Sequence, residues 1–262
     1  MATIDDLTFT LLEDGSGYSV KATNSRSISG VLEIPAEYNG LPVTTLNEVA
    51  FHLCPLLTSI MIPSSVTKIH YHAVNCENLS SVIVENGNSV YHSDGNCCIR
   101  TADSELVFGC KNSIIPNYVT TIGAYAFDQC ESLVSITIPE SVTKIYALAF
   151  SWCTSLTSIT IPKSVTLIQD SVFWYCKALE YFKFEGNAIR QASDVFFGTS
   201  NLSCVHVNAG TTGWGETWGG KPVVVDGALV NGVKFGDVEI SAAYVGDVAI
   251  SAIYAGKTKI FG

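Results

Sequence analysis

Positive charge is scarce in this sequence. Of 262 residues, 14 are Lys or Arg against 24 Asp or Glu, leaving a net charge of -10, and no basic run interrupts the acidic excess. A phosphate backbone or an anionic bilayer would be repelled, which argues against nucleic acid and anionic membrane as partners. No apolar run reaches the length of a membrane span, so no membrane insertion is expected. The opening stretch, MATIDDLTFTLLEDG, has neither a positive n-region nor an apolar core, so no secretory signal is expected. A trimmed chain, another export route and residence inside the cell all stay open.

Catalytic signatures are missing as well. The sequence contains no GxSxG, no HExxH, no phosphate-cradling glycine loop and no CxxC pair. Catalysis needs a nucleophile or an acid–base pair held within reach of a partner, and zinc sites need a recognisable ligand spacing. No enzyme, no cofactor and no metal ligand set is therefore expected. The five histidines are scattered; His70 and His72 could meet His92 around a metal, or all three could be solvated surface imidazoles.

What is present is one sentence written many times. Ile138 to Thr160 reads IPESVTKIYALAFSWCTSLTSIT, Ile115 to Thr137 reads IPNYVTTIGAYAFDQCESLVSIT, and a third copy starts at Ile161. Cys130, Cys153 and Cys176 thus recur every 23 residues, a period in the range of solenoids. A copy one residue short runs from Ile62 to Cys76, with partial copies around Cys54 and Val195–Val207; about six turns are expected. In LTSITIP, Leu156, Ile159 and Ile161 alternate with Ser158 and Thr160, the period-2 mark of a short strand. Pro63, Pro116, Pro139 and Pro162 then end each strand, because proline has no N–H to continue a ladder. Val142 and Ile145 form a second inward pair, and Ala149 and Phe150 are expected on a short helical turn. One such unit cannot bury its apolar side alone; stacked units can. The expected fold is a strand-rich α/β solenoid with short parallel strands and short helical turns.

Five of the nine cysteines (Cys54, Cys76, Cys130, Cys153 and Cys176) occupy one repeat slot. A recurring slot is a packing position, where cysteine acts as a small hydrophobe, although stacking could also bring thiols near disulfide range. The adjacent Cys97 and Cys98 would point to opposite sides of a strand.

Around the array the pattern changes. Residues 1–33 read as an N-terminal β-hairpin cap turning at Asp14-Gly15, and 34–225 as the solenoid. About 85–113 is an inserted β-meander, and Trp214 and Trp218, among glycines in about 208–225, close the far end. In 226–262 a decapeptide recurs (FGDVEISAAY, VGDVAISAIY), expected as a small β-meander. It would pack on the array or on further copies of the chain, since three short strands are seldom stable alone; a homo-oligomer through this stretch is possible.

The repeat IPxSVTxIxxxAFxxCxSLTSIxI resembles the BspA-type, or Treponema pallidum-type, leucine-rich repeat of bacterial surface proteins. The likeness covers roughly residues 30–225 and includes YNGLPVTTLNEVAFHLC, the insert and GWGETWGGKPV. It implies a curved leucine-rich-repeat solenoid and a non-enzymatic role in adhesion, recognising a protein or glycan on a host or cell surface from an extracellular position. No cell-wall anchor is expected in the stretch that follows the array. The decapeptide stretch is similar to short repeats of phage tail proteins, which implies as an alternative a virion component with the solenoid as receptor-binding tip.

Two candidate surfaces follow. On the strand side, outward positions form rows that are mostly small (Ser59, Ser81, Ser135, Ser158 and Met61, Ile83, Thr137, Thr160) until Tyr181, Lys183, Cys204 and His206. There an aromatic, a cation and an imidazole converge, residue types that anchor interfaces. On the other side Trp152 and Tyr175 share a slot beside Trp174, either an exposed aromatic ladder or rings partly buried between turns.

Overall fold

The computed structural model describes residues 2–190 and 192–226. The decapeptide repeats beyond Asp226, with the small β-meander expected there and its packing, lie outside the described residues.

The repeat builds a parallel-stacked β-solenoid of about eight turns with almost no helix. This is more than the six legible as copies, because strands with degenerate sequence stack too: Ser29–Glu33 pairs in parallel with Leu56–Ile62, and Glu105–Phe108 with Thr121–Ile122. Each regular turn has three sides. The first carries the longer strands, Ser158–Ile161, Tyr181–Phe184, Val205–Asn208 and Lys221–Asp226, paired in parallel. Proline then closes a tight turn, with Val142 N donating to Pro139 O at 3.0 Å and Val165 N to Pro162 O at 3.1 Å. The second side is a two-residue ladder, Thr121–Ile122, Lys144–Ile145 and Leu167–Ile168.

The third side holds the Ala-Phe segments, and here the expected short helical turns do not form. Among the described residues the only helix is the 3-10 turn Ile4–Asp6. Tyr125, Gln129, Leu148, Trp152, Ser171 and Tyr175 instead adopt left-handed backbone, with φ between 56° and 60°. The reason is the direction of the hydrogen bonds. A helical turn points its N–H groups back along its own chain; with left-handed residues four apart, Asp128 N and Cys130 N still do so, to Tyr125 O and Phe127 O, but every second N–H turns along the stack. Phe127 N donates to Ala149 O (2.7 Å), Phe150 N to Val172 O (3.0 Å) and Phe173 N to Val195 O (3.0 Å). The left-handed conformation costs about 1–2 kcal/mol per residue; pairing of otherwise orphaned backbone groups and ring packing offset it.

The packing follows from this register. Phe127, Phe150 and Phe173 are fully buried and stack turn on turn, with centroids 5.2 and 5.5 Å apart and planes within 5°. All nine cysteines are free. In the repeated slot the thiol serves as a hydrogen-bond donor between turns. Cys76 Sγ donates to Phe51 O (3.0 Å), Cys153 Sγ to Phe127 O (3.2 Å) and Cys176 Sγ to Phe150 O (3.1 Å). In the next turn Thr199 Oγ1 takes over, donating to Phe173 O at 2.8 Å. Burial pushes the thiols of Cys97 and Cys176 up to about 12 and raises those of Cys98, Cys130 and Cys153 as well. These sulfurs stay protonated and are not nucleophiles.

At the N-terminal end Leu7–Leu11 and Tyr18–Ala22 form an antiparallel hairpin. At the other, Trp218 lies buried against Phe182, Phe184 and Phe196. Between them the insert forms antiparallel strands Tyr91–Asp94, Cys97–Arg100 and Glu105–Phe108. These strands act as a partition. Cys98, Phe108 and Cys110 belong to the core of the N-terminal half, while Cys97, Ile99 and Leu106 belong to that of the C-terminal half.

Candidate functional site

The strand-side patch assembles as a small ionic cluster. Tyr181 and His206 lie on neighbouring strands with ring centroids 4.6 Å apart, and Lys183 pairs in register with His206. Cys204 Sγ sits 3.5 Å from His206 Nε2. The group that organises them is Asp226, at the end of the next strand. Its Oδ2 lies 2.7 Å from Lys183 Nζ and its Oδ1 2.8 Å from His206 Nδ1. Burial alone would raise the Asp226 carboxyl, but hydrogen bonds from Lys183 and His206 outweigh it and hold the group below its usual range. The cation and imidazole therefore already serve one carboxylate. Ser158 and Thr160 stay exposed nearby, lining a shallow depression with Glu140 and Glu185.

A pH dependence follows. A carboxyl whose folded pKa is depressed contributes stability above the ordinary value, about 3.9 for Asp, and loses it as pH falls through the folded value. The melting temperature of the wild type should therefore drop in the acid range partly through this cluster. In Asp226→Asn the acid limb of melting temperature against pH should be flatter; an unchanged limb would show that the cluster carries no linkage.

On the turn side the aromatics gather more densely. Trp152 and Tyr175, on the same left-handed slot of successive turns, stack at 4.6 Å with planes 3° apart. Trp174 stands edge-on to both, at 6.2 and 4.9 Å, and stacks on Phe197 at 6.1 Å. Phe197, which no sequence motif singles out, is 52% exposed. Lys177 Nζ lies 5.5 Å from the Trp152 ring centre and 5.7 Å from that of Tyr175. The same slot in the turn after Tyr175 is Gly198 at φ 73°, where a Cβ would come 3.0 Å from the Tyr175 ring. Tyr175 thus has a ring on one side and backbone on the other. The cluster is half-buried and offers ring edges, the Phe197 ring and a cation.

The histidines regroup. Both ring nitrogens of His92 are engaged, with Thr101 Oγ1 and Tyr118 OH, each at 3.0 Å. His72 meets His52 and Asp128 instead: the imidazole centroids are 4.5 Å apart, and His72 Nε2 is 3.1 Å from Asp128 Oδ2. Burial, then the neighbouring His72, push His52 below the ordinary imidazole value, with Asp128 opposing. His52, Asp128 and Phe197 each follow the Phe of the Ala-Phe segment or its equivalent. Reading that column along the repeats (His52, Asn75, Asp128, Ser151, Trp174, Phe197) shows polar residues giving way to aromatic ones.

A sequence model of the BspA type leucine-rich repeat region matches residues 34–105 and 105–217, in six copies. The chain belongs to the BspA-type leucine-rich repeat family. No curated protein matches it. Among solved structures, the pneumococcal vaccine antigen PcpA aligns at 18% identity over 68% of this chain and 50% of its own, with a TM-score of 0.54. The leucine-rich repeat protein TpLRR of T. pallidum aligns at 21% identity over 78% and 70%, TM-score 0.33. A leucine-rich repeat protein from Eubacterium ventriosum aligns at 19% identity over 78% and 76%, TM-score 0.48. The first of these supports the repeat fold alone. The BspA-type match is to a repeat region of the binding-module kind, and no catalytic family is indicated.

Proposed function

We propose that this BspA-type solenoid is a non-enzymatic adhesion module that binds a protein on a cell surface through the aromatic cluster of its turn side. The observation that carries the reading is the junction of Trp152, Trp174, Tyr175 and Phe197 over three successive turns, with Lys177 beside it. Tryptophan and tyrosine in a rigid, half-desolvated setting are among the side chains that dominate protein interfaces. A glycan would require open ring faces for stacking; Trp152 and Tyr175 cover one another, which favours a protein ligand. The strand-side residues Tyr181, Lys183 and His206 rank second because Asp226 already holds two of them. Display on a virion would depend on 226–262, which apart from Asp226 lie outside the described residues.

The class of ligand is tested with beads carrying the purified chain, scored for attachment to cultured epithelial cells. Trypsin treatment of the cells should abolish attachment, and treatment with a broad glycosidase mixture should leave it. Loss with glycosidase alone would replace the protein ligand by a glycan. No attachment to any host cell type tested would contradict the adhesion reading.

A further inference from the structure

We propose that His52, His72 and Asp128 form a binding site for a divalent metal of the zinc class, and that the metal ties the two halves of the solenoid together at their joint. One ligand atom from each residue lies within 4.8 Å of the others. Two imidazole nitrogens and one carboxylate oxygen are a borderline donor set suited to zinc. The His72 Nε2 to Asp128 Oδ2 separation, 3.1 Å, is close to the edge of a tetrahedral site, about 3.3 Å for bonds of about 2.0–2.1 Å. From a separation of at most 4.8 Å, closing His52 onto that edge takes a shift of no more than about 1.5 Å.

The unpaired polar atoms of the fold single out the same place. Among the described residues five buried side-chain polar atoms have no hydrogen-bond partner, and three of them, His52 Nδ1, His72 Nε2 and Asn75 Oδ1, are here. His72 Nε2 is near the carboxylate but not aligned with it as a hydrogen bond. Orphaned buried nitrogens facing a carboxylate are what an ion would satisfy. The carboxylate is itself oriented: Ser151 Oγ donates to Asp128 Oδ1, and Asn75 Nδ2 is 3.4 Å from Oδ2. Such outer contacts are typical of metal-binding carboxylates.

The joint explains why the space exists. The turn closing the insert runs from Leu106 to Pro116, whereas the next runs from Ile122 to Pro139 and includes an Ala-Phe segment. The shorter turn omits that segment, so on the turn side the stack passes directly from Asn75 to Asp128, with Asn75 Nδ2 donating to Asp128 O at 3.1 Å. His52 and His72 come from the N-terminal half and Asp128 from the C-terminal half. The partition strands separate the two cores, so a metal here would add a crosslink where hydrophobic continuity is interrupted.

The test uses the full chain without a polyhistidine tag, stripped with EDTA and titrated with Zn2+ by calorimetry against a competing chelator. One equivalent should bind, and saturating Zn2+ should raise the melting temperature by roughly 5 °C. His72→Gln and, as a second variant, His52→Gln should each weaken binding about a hundredfold and lose the thermal shift, with circular dichroism confirming that each folds. His92→Gln should behave as wild type. Absence of stoichiometric binding to the wild type would overturn the proposal. So would binding that survives both cluster variants or disappears in His92→Gln.

Discussion

Phe150→Ala is expected to destabilise the fold by about 3–5 kcal/mol, the range for truncating a buried aromatic. The ring is fully buried and stacks on Phe127 below and Phe173 above, so one substitution weakens two interfaces between turns. Solenoid stability is close to a sum of repeat and nearest-neighbour contributions; breaking both neighbours of one turn should split chemical unfolding into two transitions. The adjacent thiol provides an internal calibration. Cys153→Ala removes one of two donors to the Phe127 carbonyl, which keeps the Cys130 N–H, and should cost about 0.5–1.5 kcal/mol. In Cys153→Ser a hydroxyl remains as donor, as Thr199 does for Phe173, so this variant should lie closest to wild type. Urea melts of the three variants check the order. If Phe150→Ala proved milder than Cys153→Ala, the ring stack would not be the spine of the array.

Trp218→Ala should act at one end rather than throughout. The indole is buried among Phe182, Phe184 and Phe196, with its Nε1 3.4 Å from Ile189 O. Removing it costs about 3–5 kcal/mol by the same reasoning, but its neighbours belong to the last turns. Hydrogen exchange should therefore accelerate across Val205–Asn208 and Lys221–Asp226 while the ladder at Thr121–Ile122 and Lys144–Ile145 keeps its protection. The exposed phenylalanines should bind a hydrophobic dye. Uniform loss of protection would instead mean that the array unfolds as a single cooperative unit.

The family, the repeat period and the strand pattern of this fold are legible in the chain because they are local and repeated. Alternation in LTSITIP fixes which residues face inward, and proline fixes where the strand ends. The turn side is less legible. Ala149-Phe150 reads as helical by composition, and only the neighbouring turn, a hydrogen-bond partner along the stack, makes left-handed backbone at Trp152 and Tyr175 the better solution. Asp226 gives no signal in the sequence because it follows the last strand-like residues and meets Lys183 and His206 only once Lys221–Asp226 has joined the sheet. The meeting of His52 and His72 with Asp128 depends on a turn shortened within the insert, which no repeat alignment shows. Phe197 can be found by following the column that begins at His52.

The most direct test of the binding surface compares its two candidate sides in one assay. Attachment of chain-coated beads to cells would be measured for the wild type, for Trp152→Ser with Trp174→Ser and Phe197→Ser, and for Tyr181→Ser with Lys183→Ala. The turn-side variant should lose attachment by at least about tenfold, since a few central aromatics each contribute about 2 kcal/mol or more at an interface, while the strand-side variant should keep it. Attachment lost in the strand-side variant and retained in the turn-side variant, with both folded, would contradict the account.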